Sequence, residues 1–280
     1  MNSFKFNTHM KTKTTYSTCA AVVALALATA SATAGETVKK QASPAGSSPA
    51  ISGELSLDLV SGYMFRGTLL DSNLAYQPSL SLSVPFDLSA LGADSAAVKF
   101  ATTQSFNQNS PNRGWFRSEV DVGVAVSKAG FTLTPSYQLF SSPTSKFESA
   151  QGINVKLQFD DSTLTGLPAL NPYVSVFKGT QGNASNGTSP GLYYEAGVAP
   201  STKIGSATFT LPVAVGFGAN DYFAQNQQHG FTTVGLTAAV PITKNLNFNA
   251  GVKYWSTAAA LNTGDSKNMI CTSVGLGLTF

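Results

Sequence analysis

Along residues 270–280 the chain reads I-C-T-S-V-G-L-G-L-T-F, with Ile270, Val274, Leu276, Leu278 and Phe280 on one parity and Cys271, Ser273, Gly275, Gly277 and Thr279 on the other. Successive side chains of a strand point to opposite faces, so the segment predicts a strand with one apolar face and one small, polar face. The same period of two recurs upstream. In 53–68, Leu55, Leu57 and Leu59 oppose Glu54, Ser56 and Asp58, and the parity continues through Tyr63 and Phe65. In 114–127, Val120, Val122, Val124 and Val126 alternate with Glu119, Asp121, Gly123 and Ala125. An amphipathic helix would show a period near 3.6, so these are strands.

Reading the pattern throughout predicts twelve strands: 53–68, 73–86, 96–108, 114–127, 130–142, 148–160, 170–180, 191–199, 207–218, 230–241, 246–256 and 270–280. Each has about the length that a tilted strand needs to cross a bilayer. In 170–180, Tyr173 and Phe177 oppose Val174 and Val176, so that segment has no assignable lipid face. With the start inside, the outer loops are 69–72, 109–113, 143–147, 181–190, 219–229 and 257–269. The inner connections are 87–95, 128–129, 161–169, 200–206 and 242–245. Outer loops longer than inner turns are the rule in such barrels, and only the later ones here obey it. Aromatic girdles are expected at both rims. Tyr63, Phe65, Tyr76, Phe106, Trp115, Phe116, Tyr137, Tyr193, Tyr194, Tyr254 and Trp255 fall at the outer strand ends. Phe86, Phe131, Phe159, Phe209, Phe248 and Phe280 fall at the inner ones.

The expectation is an all-β fold, an antiparallel up-and-down transmembrane β-barrel in which the last strand pairs with the first. Hydrocarbon offers nothing to an unpaired backbone group, so an open sheet is excluded. Charged residues make up 11% of the chain, well under the usual quarter or so. No apolar run after the first 34 residues approaches the roughly 18–20 that a spanning helix needs.

Residues 1–34 combine Lys5, Lys11 and Lys13, the apolar run 20–30 and Ala32-Thr33-Ala34, the pattern of a cleaved signal peptide. That stretch holds no acid, and without it the basic and acidic residues balance. Net charge therefore gives no argument for nucleic-acid binding. Residues 35–52 are rich in Pro, Gly and Ser and read as a flexible periplasmic tail, followed by the barrel at 53–280. Outside the leader only Cys271 remains, so no internal disulfide forms.

Parity sends Glu54, Asp58, Arg66, Lys99, Arg117, Glu119, Asp121, Lys156, Asp160, Glu195 and Lys253 to the lumen. A basic group on the lipid face near the midplane costs about 2–4 kcal/mol, which makes this sidedness a strong constraint. Either the charges form internal ion pairs, or they form a constriction. Arg117, Glu119 and Asp121, with Lys99 on the preceding strand, are the candidate constriction. Phe280 resembles the terminal aromatic of a barrel-assembly signal, implying the assembly machinery as a partner.

The stretch L-V-S-G-Y-M-F-R-G-T-L-L-D-S-N-L-A-Y-Q-P-S-L-S-L at 59–82 resembles the start of a TorF-like family of outer-membrane porins, matching at Ser61, Tyr63, Phe65, Arg66, Gly67, Gln77 and Pro78. Gly62 stands where that family often has an acidic residue. The resemblance covers the first hairpin and implies a transport barrel with no stated substrate.

No phosphate loop, dinucleotide fingerprint, zinc spacing or nucleophile elbow occurs, and no cofactor is expected. His229 is the one histidine beyond the leader and reads as an exposed loop residue. Asn183 and Asn186 match the glycosylation pattern in a loop whose composition makes such matches common. The expected function is passive diffusion of small hydrophilic solutes across the lipid of a Gram-negative outer membrane, without enzymatic activity. A non-conducting structural or adhesive barrel acting through its outer loops is the alternative. An outer-leaflet lipid hydrolase using His229 is the remote one.

Overall fold

The computed structural model describes residues 50–108, 113–162, 169–262 and 267–280. The leader and all but the last residues of the tail lie outside the described residues. From Ser52 onward the chain forms a closed antiparallel barrel of twelve strands. Its wall runs β1 (Ser52–Val60), β4 (Ala75–Phe86), β5 (Ser95–Asn107), β6 (Gly114–Lys128), β7 (Phe131–Ser141) and β8 (Ala150–Phe159). It continues through β9 (Tyr173–Gln181), β10 (Leu192–Val198), β13 (Val213–Ala219), β14 (His229–Pro241), β15 (Leu246–Thr257) and β16 (Asn268–Thr279). Strands β2 (Tyr63–Phe65) and β3 (Thr68–Asp71) form a separate two-stranded sheet. Strands β11 (Ser201–Ile204) and β12 (Ala207–Thr210) prolong the β10–β13 hairpin.

The ring closes between β1 and β16, where Leu55 faces Leu278, Leu57 faces Leu276 and Asp58 faces Gly275. At the inner rim Gly53 N donates to Phe280 O at 2.9 Å and Phe280 N to Gly53 O at 3.0 Å. Gly275 is required by close approach, not by its dihedrals. A Cβ there would collide with the Leu57 carbonyl oxygen and with the carboxylate of Asp58, which packs across it into the wall.

Parity holds along the wall. Leu55, Leu57, Leu59, Val84, Val98, Val122, Val155, Val234, Val252 and Leu276 are exposed on the outer face. Asp58, Gln77, Ser105, Asn107 and Arg117 are buried on the inner one. The ambiguous ninth segment resolves the same way: Val174 and Val176 are exposed, whereas Tyr173 and Phe177 are buried in the lumen.

Four expectations need correction. The first predicted strand does not run to Thr68; it ends at Val60, and a bend at Ser61 and Gly62 turns the chain inward. The outer connection is therefore 61–74, a long one, which brings this loop under the length rule. Residues 200–206 are not a loop but contain β11, paired with β12. Pro200 and Pro212 interrupt the two strands because neither can donate to the ladder. Asp160 lies past the end of β8, exposed in the inner turn, where its carboxylate accepts the Ser162 N–H at 3.0 Å; it is not part of the lumen wall. His229 is the first residue of β14.

Because the Gly275 contact is with backbone oxygen, Gly275→Val should prevent closure. Gly277→Ala meets first the flexible Asn249 amide and should be tolerated. The yield of barrel that runs compactly on unheated SDS gels separates the two outcomes. Phe280→Ala, which strips the ring lying over Gly53, should lower that yield without abolishing it.

Candidate functional site: a hairpin inside the lumen

The core of this protein lies inside its barrel. Phe140, Phe177, Tyr193, Tyr222, Phe223, Phe231, Trp255 and Leu261 form one buried cluster, with Met64 and Phe65 of the β2–β3 hairpin packed on it. The hairpin enters from the outer mouth, and its tip, Arg66 (φ 48°) and Gly67 (φ 82°), is left-handed. Gly67 suits that conformation, and a Cβ on it would also meet the Phe231 ring.

Arg66 therefore occupies a cage, not the rim of a strand. Its guanidinium carbon lies 4.2 Å from the Phe177 ring centre, 4.6 Å from Tyr193, 5.0 Å from Phe65 and 5.3 Å from Phe140. Nη1 donates to the Tyr222 hydroxyl at 2.6 Å and Nη2 to Gln138 Oε1 at 2.8 Å. Gln138 then donates through Nε2 to Asp121 Oδ2 at 2.6 Å, and Ser136 Oγ donates to the same oxygen at 3.2 Å. One amide thus links the buried cation to a carboxylate.

Arg117, Glu119 and Asp121, three of the residues of the predicted constriction, surround this insert. Arg117, 3% exposed, sets Nε 2.9 Å from Glu119 Oε1, an ion pair without hydrogen-bond alignment. Its guanidinium stacks 3.7 Å from the Phe65 ring centre. Tyr63 donates its hydroxyl to Glu119 Oε1 at 2.6 Å. Burial, and after it the Glu119 carboxylate, pushes the Tyr63 phenol well above its ordinary range, so it remains a donor. Lys99 stands opposite Gly123, two residues along β6 from Asp121.

The other candidates sit elsewhere on the wall. Glu195 accepts from Tyr173 at 2.6 Å and from Tyr193. Lys156 lies 4.7 Å from the centre of the Tyr173 ring, and Lys253 5.4 Å from that of Trp255. Asp58 accepts from Ser56 at 3.0 Å. Glu54 lies near the inner rim, opposite Thr279. The ten lumen candidates thus do not form one ring; Arg66, Arg117, Glu119 and Asp121 gather about the hairpin.

The outer aromatics divide. Tyr76, Phe106, Trp115, Tyr137, Tyr194 and Tyr254 are exposed, as a girdle requires. Tyr63, Phe116, Tyr193 and Trp255 are buried inside, and Phe65 packs with them. Sequence reasoning missed Tyr222 and Phe223, both fully buried although they belong to an outer loop. Two adjacent aromatics in an otherwise polar loop were the available signal. It also gave no role to Asn183, Asn186 and Asn262, which tie the loops together. Asn183 donates to Tyr222 O at 3.1 Å, Asn186 to Leu261 O at 3.2 Å and Asn262 to Gly67 O at 2.9 Å.

Two cavities flank the hairpin. One of about 240 Å³ lies on the β6–β8 side, lined by Leu70, Phe116, Arg117, Lys146 and Phe147 among others. A smaller one of about 80 Å³ lies on the β14–β16 side, lined by Tyr63, Gln77, Lys253 and Cys271 among others. His229 stands apart from both, its ring 5.8 Å from Phe217 and Nε2 3.3 Å from Thr232 Oγ1.

Losing the cage contacts should free the hairpin but spare the ring. Arg66→Ala is expected to cost about 2 kcal/mol or more, the scale of desolvated cation–π and charge-assisted hydrogen bonds. Tyr222→Phe, which removes one acceptor, should cost less. Limited proteolysis within 61–74 of the folded protein reads the order, and equal rates in both variants and the parent would contradict it.

No protein-family model matches the chain, and no curated protein sequence matches it. Solved structures do. An outer-membrane channel from Pseudomonas putida F1 superimposes with a TM-score of 0.53 at 13% identity, over 85% of this chain and 99% of that one. The NanC porin gives 0.49 at 15% identity, over 81% and 98%, and the KdgM porin 0.46 at 10%, over 82% and 99%. The Pseudomonas likeness establishes a common architecture: this chain has the fold of an outer-membrane β-barrel channel.

Proposed function

We propose that the protein is a porin-like channel of the bacterial outer membrane, related to the TorF-like barrels, through which small hydrophilic solutes diffuse passively. It reaches the membrane by a cleaved leader and the barrel-assembly machinery, and Phe280 contributes to that recognition. The observation that carries this reading is the way the lumen is filled. The wall is a continuous backbone ladder, whereas β2 and β3 pair only with each other. The described bonds that hold the hairpin run through side chains such as Arg66, Asp71, Tyr63 and Asn262. An insert attached in this way can shift without opening the wall, so conductance is set by the hairpin.

The lumen charges support the same reading. Glu54, Asp58, Lys99, Arg117, Glu119, Asp121, Lys156, Glu195 and Lys253 line the route in this proposal, and Arg66 gates it. No catalytic role is assigned. The His229 ring packs on Phe217, itself 41% exposed on the outer face, away from the lumen.

The aromatic filling of the outer mouth favours a second reading, a closed barrel that acts through its external loops. Planar-bilayer recording decides between them. The channel reading expects small, stable steps from the folded protein and larger or more frequent ones from Arg66→Ala and from a variant with 62–72 replaced by a short Gly-Ser turn. Silence from all three, with folding verified, would sink it. Cys271 supplies an independent probe, because it lines the smaller cavity beside Tyr63. Its modification by a small charged thiosulfonate should accelerate several-fold in Arg66→Ala.

A further inference from the structure

The acids around the hairpin are engaged: Glu119 with Tyr63 and Arg117, Asp121 with Gln138 and Ser136, and Glu195 with two tyrosines. The buried side-chain atoms left without a hydrogen bond among the described residues are Gln77 Nε2 and Arg117 Nε and Nη2. Every one is an N–H donor, and Arg117 Nε already has its ion pair with Glu119. Arg117 lines the larger cavity and Gln77 the smaller. Among the described residues, no Asp or Glu lines either one.

A buried donor without an acceptor is rare in folded proteins, and one on a cation points to a missing acceptor. The cation that lines the larger cavity is the buried guanidinium of Arg117. Its face is already taken by the Phe65 ring at 3.7 Å, so aromatic stacking does not satisfy Nη2, whose N–H bonds lie in the guanidinium plane. The exposed Lys146 stands at the same cavity, and Phe116, Phe140 and Phe147 supply apolar walls. At about 240 Å³ the space admits a small organic molecule.

We propose that this cavity is a binding site for small organic carboxylates with an apolar body. The carboxylate pairs with the Arg117 guanidinium, Lys146 adds attraction from the outer side, and the body lies among the phenylalanines. The proposal deepens the channel reading by naming a class of solute, and rests on that reading only for the step from binding to passage.

Calorimetric titration of the folded, detergent-solubilised full-length protein with benzoate tests it, with benzyl alcohol as the neutral counterpart. Benzoate should bind saturably and more tightly than the alcohol. Arg117→Gln should weaken benzoate about tenfold, the factor that corresponds to one charge-assisted hydrogen bond, and leave the alcohol unchanged. Because Arg117 also pairs with Glu119 and that variant can fail to fold, the exposed Lys146→Glu serves beside it, with a several-fold loss expected for benzoate alone. Equal binding of alcohol and acid, absence of saturable benzoate binding, or indifference to the charge reversal at Lys146 would each overturn the site. In bilayers, benzoate bound by a protein that never conducts removes the channel reading and keeps the site. Conductance without benzoate binding does the reverse.

Discussion

In hydrocarbon a backbone amide has no water to turn to, and the β1–β16 ladder is the consequence of that constraint. Once the ring is closed, each residue of the wall has only two directions available. The pleat assigns Leu55, Leu57 and Leu59 to lipid and Ser56 and Asp58 to the interior. Sliding the register by one residue would place Asp58 in the bilayer and the leucines in the lumen. The close contact of Gly275 with Asp58 and the Leu57 carbonyl fits only the observed register, so the closure and the sidedness of the wall support one another.

Closing twelve strands creates a second problem, because a ring wider than about eight strands cannot be filled by its own inward side chains. Here the first outer connection supplies the filling. Placing Arg66 at the centre of an aromatic cluster would be prohibitively costly for a bare ion. The rings of Phe177 and Tyr193 face it, Tyr222 and Gln138 accept hydrogen bonds from it, and Asp121 stands one amide away. The hydrophobic cluster and the charged cluster are thus the same object. Phe65 shows this most directly, since its ring lies against both Arg66 and Arg117.

The wall was legible because strand parity is a local property of sequence, and it held from Leu55 to Leu278. The hairpin was not, for a specific reason: Tyr63 and Phe65 continue the parity of Leu55, Leu57 and Leu59 without interruption. Only Gly62 hinted that the strand stops. Pattern cannot tell a lipid-facing aromatic from one that has turned inward with its backbone. The same limit explains the outer girdle. In the doublets Trp115-Phe116, Tyr193-Tyr194 and Tyr254-Trp255, adjacency guarantees that one ring faces out and its neighbour in. Counting both as girdle ignored the period of two that identified the strands. Glu119, two residues along the strand from Arg117, was within reach; the partners of Arg66 were not, because they come from the distant strands β7, β9 and β10 and from loop 220–228, and no local spacing encodes such meetings.

The two layers also differ in how they can move. The wall is bonded through its backbone, and unpairing any strand exposes several amides to lipid at once. The hairpin's described ties run through side chains, and its tip lies among aromatic rings. Local opening follows the weakest cooperative unit, and the channel reading proposed above assigns that part to 61–74 and not to the ring. A shift of that unit would take Arg66 from its cage and leave Arg117 with Glu119 on β6, so the interior would exchange a mobile cation for a fixed one. A carboxylate in the neighbouring cavity would act on that exchange, because it would neutralise Arg117 beside Phe65 and change what the hairpin packs against. In this proposal solute binding and hairpin position would be coupled through a single ring, and the reciprocity of such coupling means that each would alter the other to the same degree.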